Sequence, residues 1–284
     1  MKATKQIALS KRSLFFLAAA CAILLGVAAY FTLPDSIDWG ISYRPATLDL
    51  IAGKSPYGVL PFFNPPWVLL PLIPFAVLPF RLGVAALFTA NFIVFVYICH
   101  RVGARLKTTL AFMCSFPVMF CLLFGQIDGL IMLGLFLPRS IGLIFLLSKP
   151  QIGAAVAVFW AIEEWRSGGW KPVVRMFIPV AALYLISFAI YGLWPLTSNP
   201  AKLIELAHNT SIWPLSLSIG LPLLIYAIRR RKQEAAEMSA PFFSPYVTPS
   251  SWSMALLGLI PYEYEMIAAS IASWVLGITR LLHP

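Results

Sequence analysis

Residues 13 to 33 read SLFFLAAACAILLGVAAYFTL, and residues 38 to 67 read DWGISYRPATLDLIAGKSPYGVLPFFNPPW. The first run carries no charge over a length that crosses a bilayer core as a helix. The second is rich in tyrosine, glycine and proline and opens on an acid. Together they predict a helix that crosses a membrane and hands the chain to a polar loop on the far side. Lys2, Lys5, Lys11 and Arg12 precede the apolar run, which puts the N-terminus in the cytoplasm and the loop outside. The run exceeds the apolar core of a secretory signal, so it reads as an uncleaved first span.

The rest of the 284-residue chain continues the pattern. Apolar residues make up 60% and charged residues 11%, which predicts an all-α integral membrane protein, a multi-span helical bundle of about eight transmembrane helices. Spans and short connections use the whole length, so residues 1–284 are expected to form a single transmembrane helical domain with no separate soluble one. The net charge of +10 gathers beside apolar runs, at 100–107 (HRVGARLK), 163–175 (EEWRSGGWKPVVR) and 229–232 (RRRK). Such clusters mark cytoplasmic ends, and they argue against nucleic acid as a partner. Cys21, Cys99, Cys114 and Cys121 lie in apolar runs without metal-ligand spacing, so neither a disulfide framework nor a zinc site is expected.

Residues 65–80 (PPWVLLPLIPFAVLPF) are apolar but carry Pro71, Pro74 and Pro79, each of which removes a backbone donor. With 100–107 in the cytoplasm, residues 82–99 cross inward and 65–80 stay a kinked or re-entrant piece. Residues 109–124 then cross outward and deliver GQID, 125–128, to the same face as Asp38.

That convergence marks the candidate site. Asp38 lies beside Trp39 and Tyr43, an arrangement that suits a sugar: rings cover its C–H face while the carboxylate binds or deprotonates a hydroxyl. The same residues also describe a solvated loop acid next to an aromatic interface belt. Lys149 stands in an apolar block, where an ammonium group is costly and usually faces a cavity, an ion pair or an anionic ligand. Phosphate is its natural ligand on an outward-facing site, and snorkelling to the surface is the alternative. Gln126 and Asp128 end a span, where they bind a polar ligand or tie helices together. No Walker loop, dinucleotide-binding glycine fingerprint, zinc-protease helix or nucleophile elbow occurs, and His100, His208 and His283 are scattered.

Taken in chain order, these pieces resemble the family 87 glycosyltransferases of the GT-C superfamily. Asp38, Tyr43, Gly53, Pro56, Tyr57, Pro65 and Pro66 are similar to the family's first outer loop. GQID resembles a Gly-Gln-x-Asn segment, Lys149-Pro150 a Lys-Pro element, HNTSI at 208–212 an Asn-x-Ser element, and TPSSWS at 248–253 a Ser-Pro-x-Ser-Trp element. Asp128 stands where the family usually has Asn, and Met254-Ala255 where a His pair often follows.

The resemblance implies a GT-C-like bundle in a bacterial plasma membrane with its active site facing outward. It would move a mannose- or pentose-like sugar from a polyprenyl-phosphate donor to a lipid or glycan acceptor, with inversion. No cofactor is implied beyond that lipid-linked donor, and the partners are membrane lipids, donor and acceptor. On this reading Asp38 is the general base and Lys149 steadies the leaving phosphate. Gln126, Asp128 and Asn209 make polar contacts, and Trp39, Tyr43 and Tyr57 line the sugar. The alternatives are a non-catalytic membrane subunit or scaffold with a degenerate glycosyltransferase-like fold, and a small transporter, for which no internal symmetry is found.

Overall fold

A computed structural model describes residues 11–59, 62–197 and 208–282. Lys2 and Lys5 of the N-terminal basic cluster lie outside them. Among the described residues 79% are helical and no strand occurs. The chain is an assembly of short helices because its prolines and glycines keep interrupting apolar sequence.

Helix α1 (Lys11–Thr32) leads into a π-helical turn, Trp39–Tyr43, which runs directly into α2 (Arg44–Ile51). A 3-10 stretch, Pro66–Leu72, and α3 (Ile73–Ala76) follow. This is the proline-rich 65–80 segment, and its two pieces are too short to cross a bilayer. Helix α4 (Phe80–Arg101) lies along α1. Then come α5 (Leu106–Met113), α6 (Phe116–Phe124), α7 (Asp128–Met132), a 3-10 turn at Leu133–Phe136, α8 (Arg139–Leu146), α9 (Pro150–Gly168) and α10 (Trp170–Tyr191). The remainder is α11 (Trp194–Thr197), α12 (Leu217–Arg230), α13 (Gln233–Ser239), α14 (Trp252–Leu259) and α15 (Glu263–Leu282).

Salt bridges identify one end of the bundle. Arg105 meets Glu263 at 3.7 Å, Arg139 meets Glu164 at 2.8 Å, and Arg166 meets Glu163 at 2.8 Å while donating to Ile228 O at 2.7 Å. The last three contacts meet at the C-terminal end of α9, and Lys149 lies at its N-terminal end.

The structure does not support the expectation of eight transmembrane helices. Among the described residues two helices, Phe80–Arg101 and Trp170–Tyr191, are long and apolar enough to cross a membrane. The pair α5 and α6 makes a third if counted as one span, but it bends by 54° at Cys114–Ser115. The physical reason is local: Pro117 sits in the first turn of α6 and disfavours continuous helix before it. The apolar sequence between 127 and 147 is also cut, into pieces such as α7 and α8 that are a fraction of a bilayer long. Two apolar spans and an outward-facing apolar surface, with Ile186 and Ile190 on α10 and Val275 and Leu276 on α15 exposed, are compatible with a membrane protein.

Broken helices leave backbone groups without partners, which hydrocarbon penalises heavily. Here α15 supplies them. At the α5–α6 break, Ser273 Oγ accepts from Phe116 N at 3.2 Å, while Trp274 Nε1 donates to Cys114 O at 2.7 Å and Ser270 Oγ donates to Ala111 O at 2.8 Å.

The turn at Leu133–Phe136 packs backbone to backbone on α8. A Cβ at Gly134 would sit 2.6 Å from Gly142 O and 2.9 Å from Phe145 Cβ. Gly134→Val is thus expected to lower stability by about 1–3 kcal/mol through overpacking. Thermal unfolding of the purified protein in detergent reads this as a lowered midpoint.

Candidate functional site

The residue that brings the two ends of the site together is Gly125. It closes α6 in the left-handed region, at φ 72°, and a Cβ there would lie 2.7 Å from Trp39 Cβ and 3.2 Å from Ser36 Cβ. Only glycine satisfies both demands. The end of α6 therefore closes onto the turn after α1, and Ser36 Oγ donates to Leu123 O at 2.9 Å to hold it. Gln126 follows with its backbone carbonyl held by Asn91 Nδ2 at 3.1 Å from α4. Its side chain reaches Asp38, with Nε2 donating to Oδ2 at 2.6 Å.

Lys149 arrives from the other direction. It precedes Pro150, which forces it out of helical geometry (φ −139°, ψ 83°) and starts α9 immediately after it. The Asn64–Trp67 segment clamps this corner: Asn64 Nδ2 donates to Ser148 O at 3.0 Å, and Trp67 Nε1 donates to Ser148 Oγ at 2.8 Å. Tyr184 OH on α10 donates to Leu147 O at 2.8 Å. Lys149 is 3% exposed, so snorkelling to the surface is ruled out. Its Nζ donates to Gln126 Oε1 at 2.9 Å and forms a short ion pair with the wholly buried Asp128.

These residues open on a cavity of about 590 Å³. Asp38, Tyr43, Gln126 and Lys149 line it, as do Asn64, Tyr184, Trp194, His208, Tyr246 and Thr248, with Ile37, Ile41, Phe120 and Phe124 as an apolar wall. Burial pushes the Asp38 carboxyl above its ordinary value, against the Gln126 hydrogen bond and the charges of Lys149 and His208, which pull it down. Burial likewise raises the Tyr43 phenol and pushes Tyr246 up to about 12, so both stay protonated as donors. The Tyr43 hydroxyl lies 3.4 Å from both Asn64 Oδ1 and Gln126 Oε1.

Of the residues singled out in the sequence, four line the cavity and four stand behind it. Trp39 is fully buried against Gly125, where a Cβ would lie 2.7 Å from its own, and faces core rather than ligand. Tyr57 stacks on Trp194 at 5.0 Å and supports that wall from behind. Asp128 holds Lys149. Asn209 fastens the Tyr246 segment: its Nδ2 donates to Pro245 O at 3.0 Å and its Oδ1 accepts from Val247 N at 3.0 Å. Sequence reasoning passed over Tyr184, Trp194, His208 and Tyr246. An aromatic pair at the outer half of a span was a signal for the first two, whereas nothing local marks the others. No cluster of metal-binding side chains occurs among the described residues.

Compared with protein-family models, curated proteins and solved structures, the chain matches none.

Asn209→Ala removes the clamp on residues 245–247. Faster amide hydrogen exchange is expected at Val247, with a stability loss of about 1–3 kcal/mol. Unchanged protection there would show that the Thr210–Val247 backbone bond (2.8 Å) suffices.

Proposed function

We propose that the protein is an integral membrane glycosyltransferase that takes a sugar from a polyprenyl-phosphate donor and gives it to a hydroxyl of a lipid or glycan acceptor at the outer face of a bacterial plasma membrane. One observation carries the reading: a partly buried carboxylate, Asp38, shares an aromatic-walled cavity with a buried ammonium, Lys149, at the N-terminal end of α9. An acid and a cation with ring faces between them suit a sugar joined to a phosphate.

In this reaction the acceptor oxygen attacks the anomeric carbon as the bond from that carbon to the phosphate oxygen breaks. The electron pair leaves with the polyprenyl phosphate, and the hydroxyl proton passes to Asp38. Direct displacement inverts the anomeric centre. A raised carboxyl pKa makes Asp38 the stronger base once ionised. Lys149 has three N–H donors, and Gln126 and Asp128 use two. The third has no protein partner among the described residues and suits a phosphate oxygen. The half-buried rings of Tyr184 and Tyr246 suit the sugar, and the wall of Ile37, Ile41, Phe120 and Phe124 suits an isoprenoid chain.

The alternative of a non-catalytic subunit gains from the same ion pair, because Asp128 already neutralises Lys149 and lowers its pull on a phosphate.

The test is a transfer assay on purified protein with a panel of radiolabelled polyprenyl-phosphate sugars and a membrane lipid extract as acceptor. Asp38→Asn is expected to lower turnover by about 10²–10⁴-fold, as loss of a general base does. Wild-type activity should fall as pH drops through an Asp38 value above the ordinary carboxylate range, because the protonated acid cannot accept the hydroxyl proton. Full activity in Asp38→Asn removes Asp38 as the base. A folded wild-type protein that uses no donor supports the non-catalytic reading.

A further inference from the structure

We infer that Asp128, Lys149 and Gln126 form a positioning chain that decides which end of the Gln126 amide meets Asp38. The inference rests on the reading of Asp38 as general base. An ammonium group has only donors, whereas a primary amide has a donor end and an acceptor end of nearly equal size. Lys149 Nζ, 2.9 Å from Gln126, must therefore face the amide oxygen. With that oxygen committed, the NH₂ end turns to Asp38 and donates to Oδ2. Without the ammonium the amide oxygen keeps only the longer Tyr43 hydroxyl contact at 3.4 Å, and the orientation of the amide is held less firmly.

Each member of the chain has a cause for its place. Gln126 is pinned at its backbone, by Asn91 Nδ2 on its carbonyl and by its own N–H to Cys121 O at 2.9 Å, so only side-chain rotation remains to be decided. Lys149 is buried beside Asp128, and the ion pair between them offsets a desolvation cost of several kcal/mol. Asp128 does not line the cavity, and its Oδ2 has no hydrogen-bond partner among the described residues. Such a group acts on a ligand only through Lys149.

The outcome for Asp38 follows from the donor it receives. An N–H on a carboxylate oxygen favours the ionised form, and only that form can take the acceptor's proton. The groups that act on Asp38 come from several elements. The Gln126 amide, Lys149 and His208 favour the carboxylate, while Asp128 opposes it. Tyr43 and Tyr246 stay protonated near it. Gln126 makes the one direct hydrogen bond to Asp38 among these, so the orientation of one amide is the largest lever the fold has against burial.

The test reads Asp38 without substrate. Infrared titration of the detergent-purified protein follows the protonated-carboxyl band that Asp38→Asn abolishes. Gln126→Glu keeps the size and the contact with Lys149 but replaces the donor to Asp38 with a second acid. Gln126→Met keeps only the size. Both are expected to raise the Asp38 midpoint by about one pH unit or more. The double variant Lys149→Met/Asp128→Asn removes two charges that pull Asp38 in opposite directions, Lys149 the more strongly, so the part of its rise that disappears in a Gln126→Met background reports the freed amide. An unchanged midpoint in the Gln126 variants overturns the inference, and so does an unchanged midpoint in the double variant alone, since Gln126 would then hold its orientation unaided. In a transfer assay the acid limb of the pH profile should move with the infrared midpoint. A wild-type protein without transfer activity sinks the glycosyltransferase reading, while the infrared midpoints still decide the chain.

Discussion

A single buried cation governs the arrangement of this site. Taking the Lys149 ammonium out of water costs several kcal/mol even after relaxation, and the structure meets that cost on every side: Asp128 supplies the opposite charge, Gln126 a second acceptor, and the Ser148–Pro150 corner a backbone locked by Asn64, Trp67 and Tyr184. Remove the cation and these contacts lose their purpose. The two proline-rich regions, one after α2 and one before α9, become intelligible as the outer clamp and the inner corner of the same joint. Neither is a span, and each holds the other in place.

Short helices are the second constraint. A long apolar helix satisfies its own backbone and presents only side chains, so it cannot bring carbonyls and amides to a cavity. This chain instead ends helices inside the bundle. The end of α6 presents Gln126, the start of α7 presents Asp128, and the start of α9 presents Lys149. Every such end exposes backbone groups at depth, and neighbouring side chains satisfy several of them, as Asn91 does for Gln126 and Tyr184 for Leu147.

Much of the site's polar half was legible in sequence. Asp38, Gln126 and Lys149 are charged or polar residues in or beside apolar runs, and the cost of burying such groups makes them visible without any structure. Trp39 was misplaced because its environment depends on Gly125, more than eighty residues away, and on the room that a missing side chain leaves there. Asn209 fits a loop motif as well as a ligand contact, and only the position of Val247 separates the two. The expectation of eight spans goes unsupported for a different reason. Apolarity averaged over a window registers burial in protein and burial in lipid alike, and it passes over single breaks such as the one before Pro117. The expectation of an all-helical chain survives this error, because it rests on run length and period rather than on where each helix ends.

The splint on the α5–α6 break has a bearing on how the molecule comes to exist. Ser273 bonds Phe116 across 157 positions of sequence, and Trp274 reaches Cys114 across 160. Chains are made from the N-terminus, so the bent pair is synthesised long before the helix that completes its hydrogen bonding. Until then the open peptide groups at Ala111, Cys114 and Phe116 need a temporary partner such as water. The wall of the cavity formed by Phe120 and Phe124 is therefore assembled last by a segment that never touches the cavity, and the biogenesis of the site is timed by its most distant support.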